Sequence, residues 1–246
     1  MELNLSFFAV ASAMVFIAAI AQSMSGFGFA LVLAPLFSLV WDPHQVVIVS
    51  TVLNGALSLS ITFRNRNHVS MNRVGLQVAG ALAGIPLGLL VLAGLNPNPL
   101  RVLIGVTVFI LGGLVYFNLT PPLKRERTWL LISGVASGLL HSSTSMGGPP
   151  VVLCLMSQGH EKELMRGPLL GFFGPLSLLT LVGFWLSGLV RMEALLVSVA
   201  MVPALSIGIW LGAEAFKRAP GELYRAIVAL LIAVAGILSI FAGMQR

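Results

Sequence analysis

The chain has 246 residues, 57% of them hydrophobic and only 9% charged, with a mean hydropathy of +0.99. A soluble domain carries about 25% charged residues to cover its surface, so these proportions exclude one and point to an all-α polytopic membrane protein with little extramembrane mass. The net charge of +6 does not imply nucleic acid, because the basic residues are scattered over short loops, as juxtamembrane Lys and Arg are.

In chain order, Met1-Glu2-Leu3-Asn4 lacks a basic leader and a small-residue cleavage site, so the first apolar segment is expected to be retained. Leu5–Ala21 and Phe27–Val40 together are too long for one span of about 20 residues. The seam between them reads Gln22-Ser23-Met24-Ser25-Gly26-Phe27-Gly28-Phe29. It predicts a broken helix or a helical hairpin entering the membrane. Helices follow at Val46–Phe63, Val74–Leu95 and Leu100–Phe117, then a linker over 118–128. Trp129–Leu140 and Val151–Met156 are each too short to span, and between them lies His141-Ser142-Ser143-Thr144-Ser145-Met146-Gly147-Gly148-Pro149-Pro150. A second break is predicted there. Gly167–Leu186, Ala194–Gly212 and Leu223–Ala242 complete the set.

The chain also repeats itself. Gly84-Ile85-Pro86-Leu87-Gly88 matches Gly208-Ile209-Trp210-Leu211-Gly212 at an offset of 124, as Arg101 matches Arg225, while Gly28 and Gly147 align at 119. Ordered matches argue for duplication, with a first transmembrane repeat over 1–117 and a second over 129–246, each a broken or re-entrant helix pair plus three helices. Charge decides their relation. With 64–73 and the basic linker inside, a parallel second half leaves eight Lys and Arg inside against six outside, whereas an inverted one leaves eleven against three. The positive-inside rule favours inverted repeats, with both termini outside.

A break at bilayer depth persists only beside protein or a water-filled cavity, as at a transporter's binding site. It also creates a helix start whose first N–H groups lack partners and carry partial positive charge, suited to an anion. Ser145 is placed to cap the second such start, Gly147 and Gly148 to let backbone approach a ligand, and Pro149 and Pro150 to fill a first turn. Close helix packing explains Gly80, Gly84, Gly88, Gly208 and Gly212 well. It explains four adjacent hydroxyls at Ser142–Ser145 poorly, so a site is favoured for the two motifs. His141 is either a functional ring at costly depth or a neutral histidine satisfied by a carbonyl. Gln22 and Asn54 either bind a ligand oxyanion or bridge helices. Arg166 is more readily a snorkelling interfacial residue than a bidentate oxyanion contact. Asp42, His44, Glu161, Glu193, Glu214 and Glu222 are expected in solvated loops. Cys154, the single cysteine, is assigned to packing. No P-loop, HExxH or paired acidic motif is present in the sequence, and no cofactor or metal is expected.

At the two motifs the chain resembles the sulfite exporter TauE/SafE family, also called toluene-sulfonate uptake permeases. That family carries a glycine-rich segment followed by a proline in each of two related halves. The counterparts here are Gly26-Phe27-Gly28-Phe29-Ala30 with Pro35, and Ser145-Met146-Gly147-Gly148-Pro149. Asp42-Pro43-His44-Gln45-Val46 and Lys162-Glu163-Leu164-Met165-Arg166-Gly167 resemble its post-motif loops, so the likeness covers nearly the whole chain. Phe29, Ala30 and Pro149 replace family glycines, and Cys154 stands where a proline is expected. The resemblance implies seven or eight spans, a bacterial inner membrane, and transport of sulfite, sulfonates or related organosulfur anions.

The combined expectation is a secondary transporter of small sulfur-containing oxyanions, its other partner the lipid bilayer, working by alternating access around the two breaks. Gln22, Ser23, Ser25, Gly26 and Gly28 would face Ser143, Thr144, Ser145, Gly147 and Gly148, with Asn54, His141 and Arg166 as further contacts. An anion channel is the alternative. A membrane-embedded enzyme or assembly subunit is a more distant one, for want of a catalytic constellation.

Overall fold

A computed structural model describes residues 5–25, 27–64, 71–117, 125–157, 162–218, 236–237 and 239–244, without side-chain detail at 24–25, 61–64, 71, 115–116, 162–167 and 215–218. The described residues form helices α1 (Leu5–Ser25), α2 (Phe29–Ser38), α3 (Pro43–Arg64), α4 (Met71–Gly94), α5 (Pro97–Tyr116), α6 (Glu126–Thr144), α7 (Gly148–Ser157), α8 (Lys162–Leu186) and α9 (Met192–Arg218). Residues 236–237 and 239–244 are helical too. The expected segment Leu223–Ala242 lies largely outside the described residues. Five of the described helices are long and apolar enough to cross a membrane, and the protein is an all-α, multi-pass membrane protein. Where a linker was expected over 118–128, α6 already begins at Glu126.

Several boundaries follow from local chemistry. α3 and α5 open on Pro43 and Pro97, where a missing amide hydrogen costs nothing. Asp42 caps α3, its Oδ1 accepting the His44 N–H at 3.2 Å. α8 closes through Gly188, whose φ of 68° lets the Leu189 N–H return to the Phe184 carbonyl at 3.1 Å.

α4 packs on α6, α1 on α9, and α3 crosses α8. The first two pairs are glycine seams. A Cβ on Gly80, Gly84 or Gly88 would collide with the carbonyl oxygens of Leu131, Val135 or Leu139, and one on Gly134 or Gly138 with those of Gln77 or Ala81. Gly208 and Gly212 lie as closely against Phe16, Ala19, Ile20 and Ser23 of α1. Apolar solvents give helices little reason to associate except close packing, and small residues supply it. The outer faces carry Leu82, Leu90, Phe109, Val182, Trp185 and Trp210, all exposed, as a lipid-facing surface requires.

Two helical hairpins result. In the first, α1 and α2 run antiparallel, and the ring of Phe7 at the start of α1 packs against Phe37 in the last turn of α2 and edge-on against Trp41 just past it (ring centroids 5.9 and 5.7 Å apart). Arg101 ties the base of α2 to α5, donating to the Ser38 and Trp41 carbonyls at 2.8 and 3.3 Å. In the second, α7 folds back along α6. The hairpins enter from opposite ends of α4. Arg73, at the start of α4, pairs with Glu126 at the base of the second hairpin (2.7 Å), whereas the Leu95 carbonyl just past its end bonds His44 at the base of the first (2.9 Å). At 1.5 Å per residue, the 24 residues of α4 cover the roughly 30 Å of a bilayer core.

Candidate functional site

The tip of the first hairpin is built around Gly28. Its φ of 110° is open to glycine without penalty, and α2 starts at the next residue. The Phe29 N–H donates to Gln22 Oε1 at 2.8 Å, and Gln22 Nε2 donates to Asn54 Oδ1 at 2.9 Å. Ser58 Oγ donates to the same Asn54 oxygen at 3.3 Å. The first bond within α2 is Val32 N–H to the Gly28 carbonyl at 3.1 Å. The amides of Ala30 and Leu31 therefore precede the helix's own hydrogen bonding.

The second tip differs from its expectation at Ser145. This residue does not cap the start of α7. It ends α6 in a left-handed conformation (φ 65°), its N–H bonded to the His141 carbonyl at 2.8 Å. With α7 beginning three residues later, the Ser145 hydroxyl accepts instead from Thr51 Oγ1 of α3 at 3.3 Å. The neighbouring hydroxyls turn back on their own helix. Ser142 donates to the Gly138 carbonyl (2.7 Å) and across to Ile85 (3.0 Å), while Ser143 and Thr144 donate to Leu139 and Leu140 (both 2.8 Å). Ser137 holds the Gly147 carbonyl at 2.6 Å. Because Pro149 and Pro150 have no amide hydrogen, Gly148 is the donor that α7's opening residues offer.

The two tips meet at one cavity. Gln22, Gly28, Ala30 and Leu31 line it from the first hairpin and Ser145, Met146, Gly148 and Pro149 from the second, with Asn54 of α3 and Phe173 of α8 completing the wall. The cavity is small, with room for roughly one water molecule. No charged side chain lines it. Amides, a carboxamide pair and one hydroxyl make up its polar side, facing Phe173, Met146 and Pro149. An oxyanion there would meet helix-start amides and side-chain dipoles in a partly enclosed setting, where such donors are stronger than in water.

Of the sequence-predicted residues, Gln22, Gly28, Asn54, Ser145 and Gly148 come together on this wall. Ser23 points elsewhere, donating to the Ile209 carbonyl of α9 at 3.1 Å. Ser143 and Thr144 are spent on backbone carbonyls. Gly147 lies against His141, which is fully buried behind the wall with Nε2 3.3 Å from Ser177 Oγ. Gly26 and the side chains of Ser25 and Arg166 lie outside the described residues. Sequence reasoning missed Ala30, Leu31, Met146, Pro149, Phe173 and the bridging Thr51. A signal for Phe173 was available: Asn54-Gly55 and Phe173-Gly174 stand 119 apart, the spacing that relates Gln22 to His141 and Gly28 to Gly147.

At the mouth of the first hairpin, Asp42 and His44 are not simply solvated, as expected of loop residues, but form a half-buried cluster. His44 Nδ1 lies 3.0 Å from Asp42 Oδ1 and its Nε2 2.9 Å from the Leu95 carbonyl, while Arg191 of the α8–α9 turn approaches Asp42 Oδ2 at 3.7 Å. The hydrogen bond to Asp42 raises the His44 pKa above its ordinary value, against desolvation and helped by Leu95. The same bond holds the Asp42 carboxyl low. This cluster joins three interhelical turns before the apolar part of α3 begins.

The sulfite exporter TauE/SafE family model matches residues 11–239. The chain therefore belongs to this family, and membership implies a membrane transporter of sulfur-containing anions. No curated protein and no solved structure matches it.

Proposed function

Taking membership of the TauE/SafE family as the premise, we propose that the protein is a secondary transporter of small sulfur-containing oxyanions, sulfite or an organosulfonate, in a bacterial inner membrane. The anion occupies the cavity between the hairpin tips. Gln22, Asn54 and Ser145 contact it through side chains, and Gly28, Ala30, Leu31 and Gly148 through backbone. The observation that carries this reading is that two breaks entering from opposite ends of α4 line a single cavity.

The helix pairing supports two inverted halves. Exchanging the halves turns α4 on α6 into α9 on α1, and leaves α3 on α8 unchanged. The same exchange carries Gly84 to Gly208, both of which sit in glycine seams. The contact of Arg191 with Asp42 supports the same topology, because parallel halves would put these residues on opposite sides of the membrane.

A carrier suits this cavity better than a channel. A space that holds about one water admits a larger oxyanion only if the hairpins part, and alternating access requires such parting on one side at a time. The test is uptake of radiolabelled sulfite and methanesulfonate into proteoliposomes of the purified protein. Saturable flux with counterflow is expected. Single-channel currents would replace the carrier with a pore, and flux unchanged by both Ser145→Leu and Gly148→Leu would reject the site.

A further inference from the structure

His141 is fully buried, its Nδ1 makes no hydrogen bond of good geometry although the Ser145 backbone lies beside the ring, and the ring lies 6.3 Å from that of Phe173, which lines the cavity. Its carbonyl holds the Ser145 amide, and its Cβ abuts Gly147, so the residue is built into the second hairpin tip. A buried ring nitrogen without a well-formed hydrogen bond is costly. From this arrangement we propose that His141 carries a transported proton, coupling anion movement through the central site to proton movement. The inference rests on the transport reading above and adds the coupling ion to it.

Among the described side chains, His141 is the titratable group packed behind the cavity wall. Along α8, residues 168–186 contain no ionisable side chain. α4 contains Arg73 alone, paired with Glu126 at its far end. α7 contains Cys154, beside Ser133, more than a helical turn from His141. On α3, residues 43–60 include His44, held by Asp42 and Leu95 at the membrane edge. On α5, Arg101 is bound to the Ser38 carbonyl. Among the described residues, the polar neighbours of the ring are Ser177 and the Ser145 backbone. An anion entering the cavity thus finds dipoles but, among the described side chains, no fixed cation, and burying its charge without a counter-charge is expensive.

A proton on His141 supplies that counter-charge. In the empty site the imidazolium is itself costly, so the ring stays neutral, with Nε2–H donated to Ser177 Oγ and the Nδ1 lone pair open. When the anion enters from one side, Nδ1 accepts a proton from water on that side. Each charge offsets the other's desolvation, so proton and anion raise one another's affinity by the same factor. On opening to the other side the anion leaves, the imidazolium loses its partner, and the proton departs from Nδ1 to water. One proton and one anion cross together.

The test uses proteoliposomes with the lumen one pH unit more alkaline than the outside and the voltage clamped, with radiolabelled sulfite and methanesulfonate as probes. For one-to-one coupling, wild type should accumulate the carried anion about tenfold at equilibrium. His141→Gln should lose this gradient-driven accumulation and keep counterflow only at saturating anion, with a raised half-saturation concentration. Comparing the two proteins removes passive retention of sulfite by an alkaline lumen, which is the same for both. Equal accumulation by wild type and His141→Gln overturns the proposal. So does a folded His141→Gln protein lacking counterflow even at saturating anion, which would make the residue an indispensable anion contact instead. Should His141→Gln not fold, Ser177→Ala decides: removing the Nε2 partner should move the pH at which coupling is half-maximal, and an unmoved profile refutes the role. Failure of wild type to carry either anion sinks the transport reading itself.

Discussion

Substitution at Gly148 separates a site glycine from a packing glycine. A Cβ placed there would meet the Phe173 ring edge at 3.3 Å and the Phe27 Cβ at 3.4 Å. Both contacts are tight but side chains can yield by a few tenths of an ångström. Gly148→Ala should therefore fold, with its melting temperature within a few degrees of wild type and transport reduced less than fivefold. Any atoms beyond Cβ must enter a cavity with room for about one water. Overpacking of this kind costs about 1–3 kcal/mol. Charged against the anion's binding, that corresponds to about a 5- to 140-fold loss of affinity. Gly148→Leu should thus cut uptake at substrate concentrations near the wild-type KM by about 3- to 70-fold while remaining folded. Initial rates of radiolabelled sulfite uptake across a concentration series, with a thermal melt of each purified variant, measure both halves. Wild-type KM and rate in Gly148→Leu would refute the placement of the site.

Gly84→Ala should behave oppositely, because its Cβ would collide with the rigid Val135 carbonyl. It should unfold or express poorly although it does not line the cavity, as yield and melting temperature would reveal. Asn54→Leu strands the buried Gln22 Nε2 and Ser58 hydroxyl, a loss of about 1–3 kcal/mol. It should lower the melting temperature and raise KM, and Asn54→Ser should recover part of each. The mouth cluster gives a pH dependence. The His44 pKa is raised above 6.5, so its contribution is complete below that value and fades as pH climbs through the raised one. Asp42 is lowered from 3.8, so its share is present above that value and disappears as pH falls through the lowered one. The melting-temperature gap between wild type and His44→Gln should accordingly be widest between about pH 4 and 6.5 and shrink on the alkaline side. In a Cys154→Ala background, Arg191→Cys and Glu126→Cys should react with a membrane-impermeant maleimide from opposite faces. Labelling of both from one face would refute the opposed hairpins.

Much of the architecture was legible before any coordinates. Composition required a membrane protein, and apolar runs of the wrong length marked Gln22–Phe29 and His141–Pro150 as interruptions. The glycines at 80, 84 and 88 could be assigned to packing because their spacing of four puts them on one helix face, and they do face α6. The site was less legible, for a specific reason. A serine hydroxyl in a helix has an acceptor one turn back, whatever surrounds it. Four adjacent hydroxyls therefore looked like a binding surface, yet Ser142, Ser143 and Thr144 are satisfied by α6 itself. Ser145 was given to the wrong helix end because a serine before two glycines fits an N-cap as well as a left-handed C-cap.

What the amino-acid order determined alone is everything set by transfer from water to lipid and by local backbone chemistry: which segments enter the bilayer, where they cannot stay helical, and which faces allow close approach. Those quantities depend on a residue and its near neighbours. Only the tertiary structure decided that Gln22, Asn54, Ser145, Gly148 and Phe173 share one wall, that Ser23 and Thr144 do not, and that His141 is sealed behind Phe173. Those contacts join α1, α3, α6, α7 and α8, and side-chain direction at each is fixed by how neighbouring helices cross. No local pattern encodes that geometry.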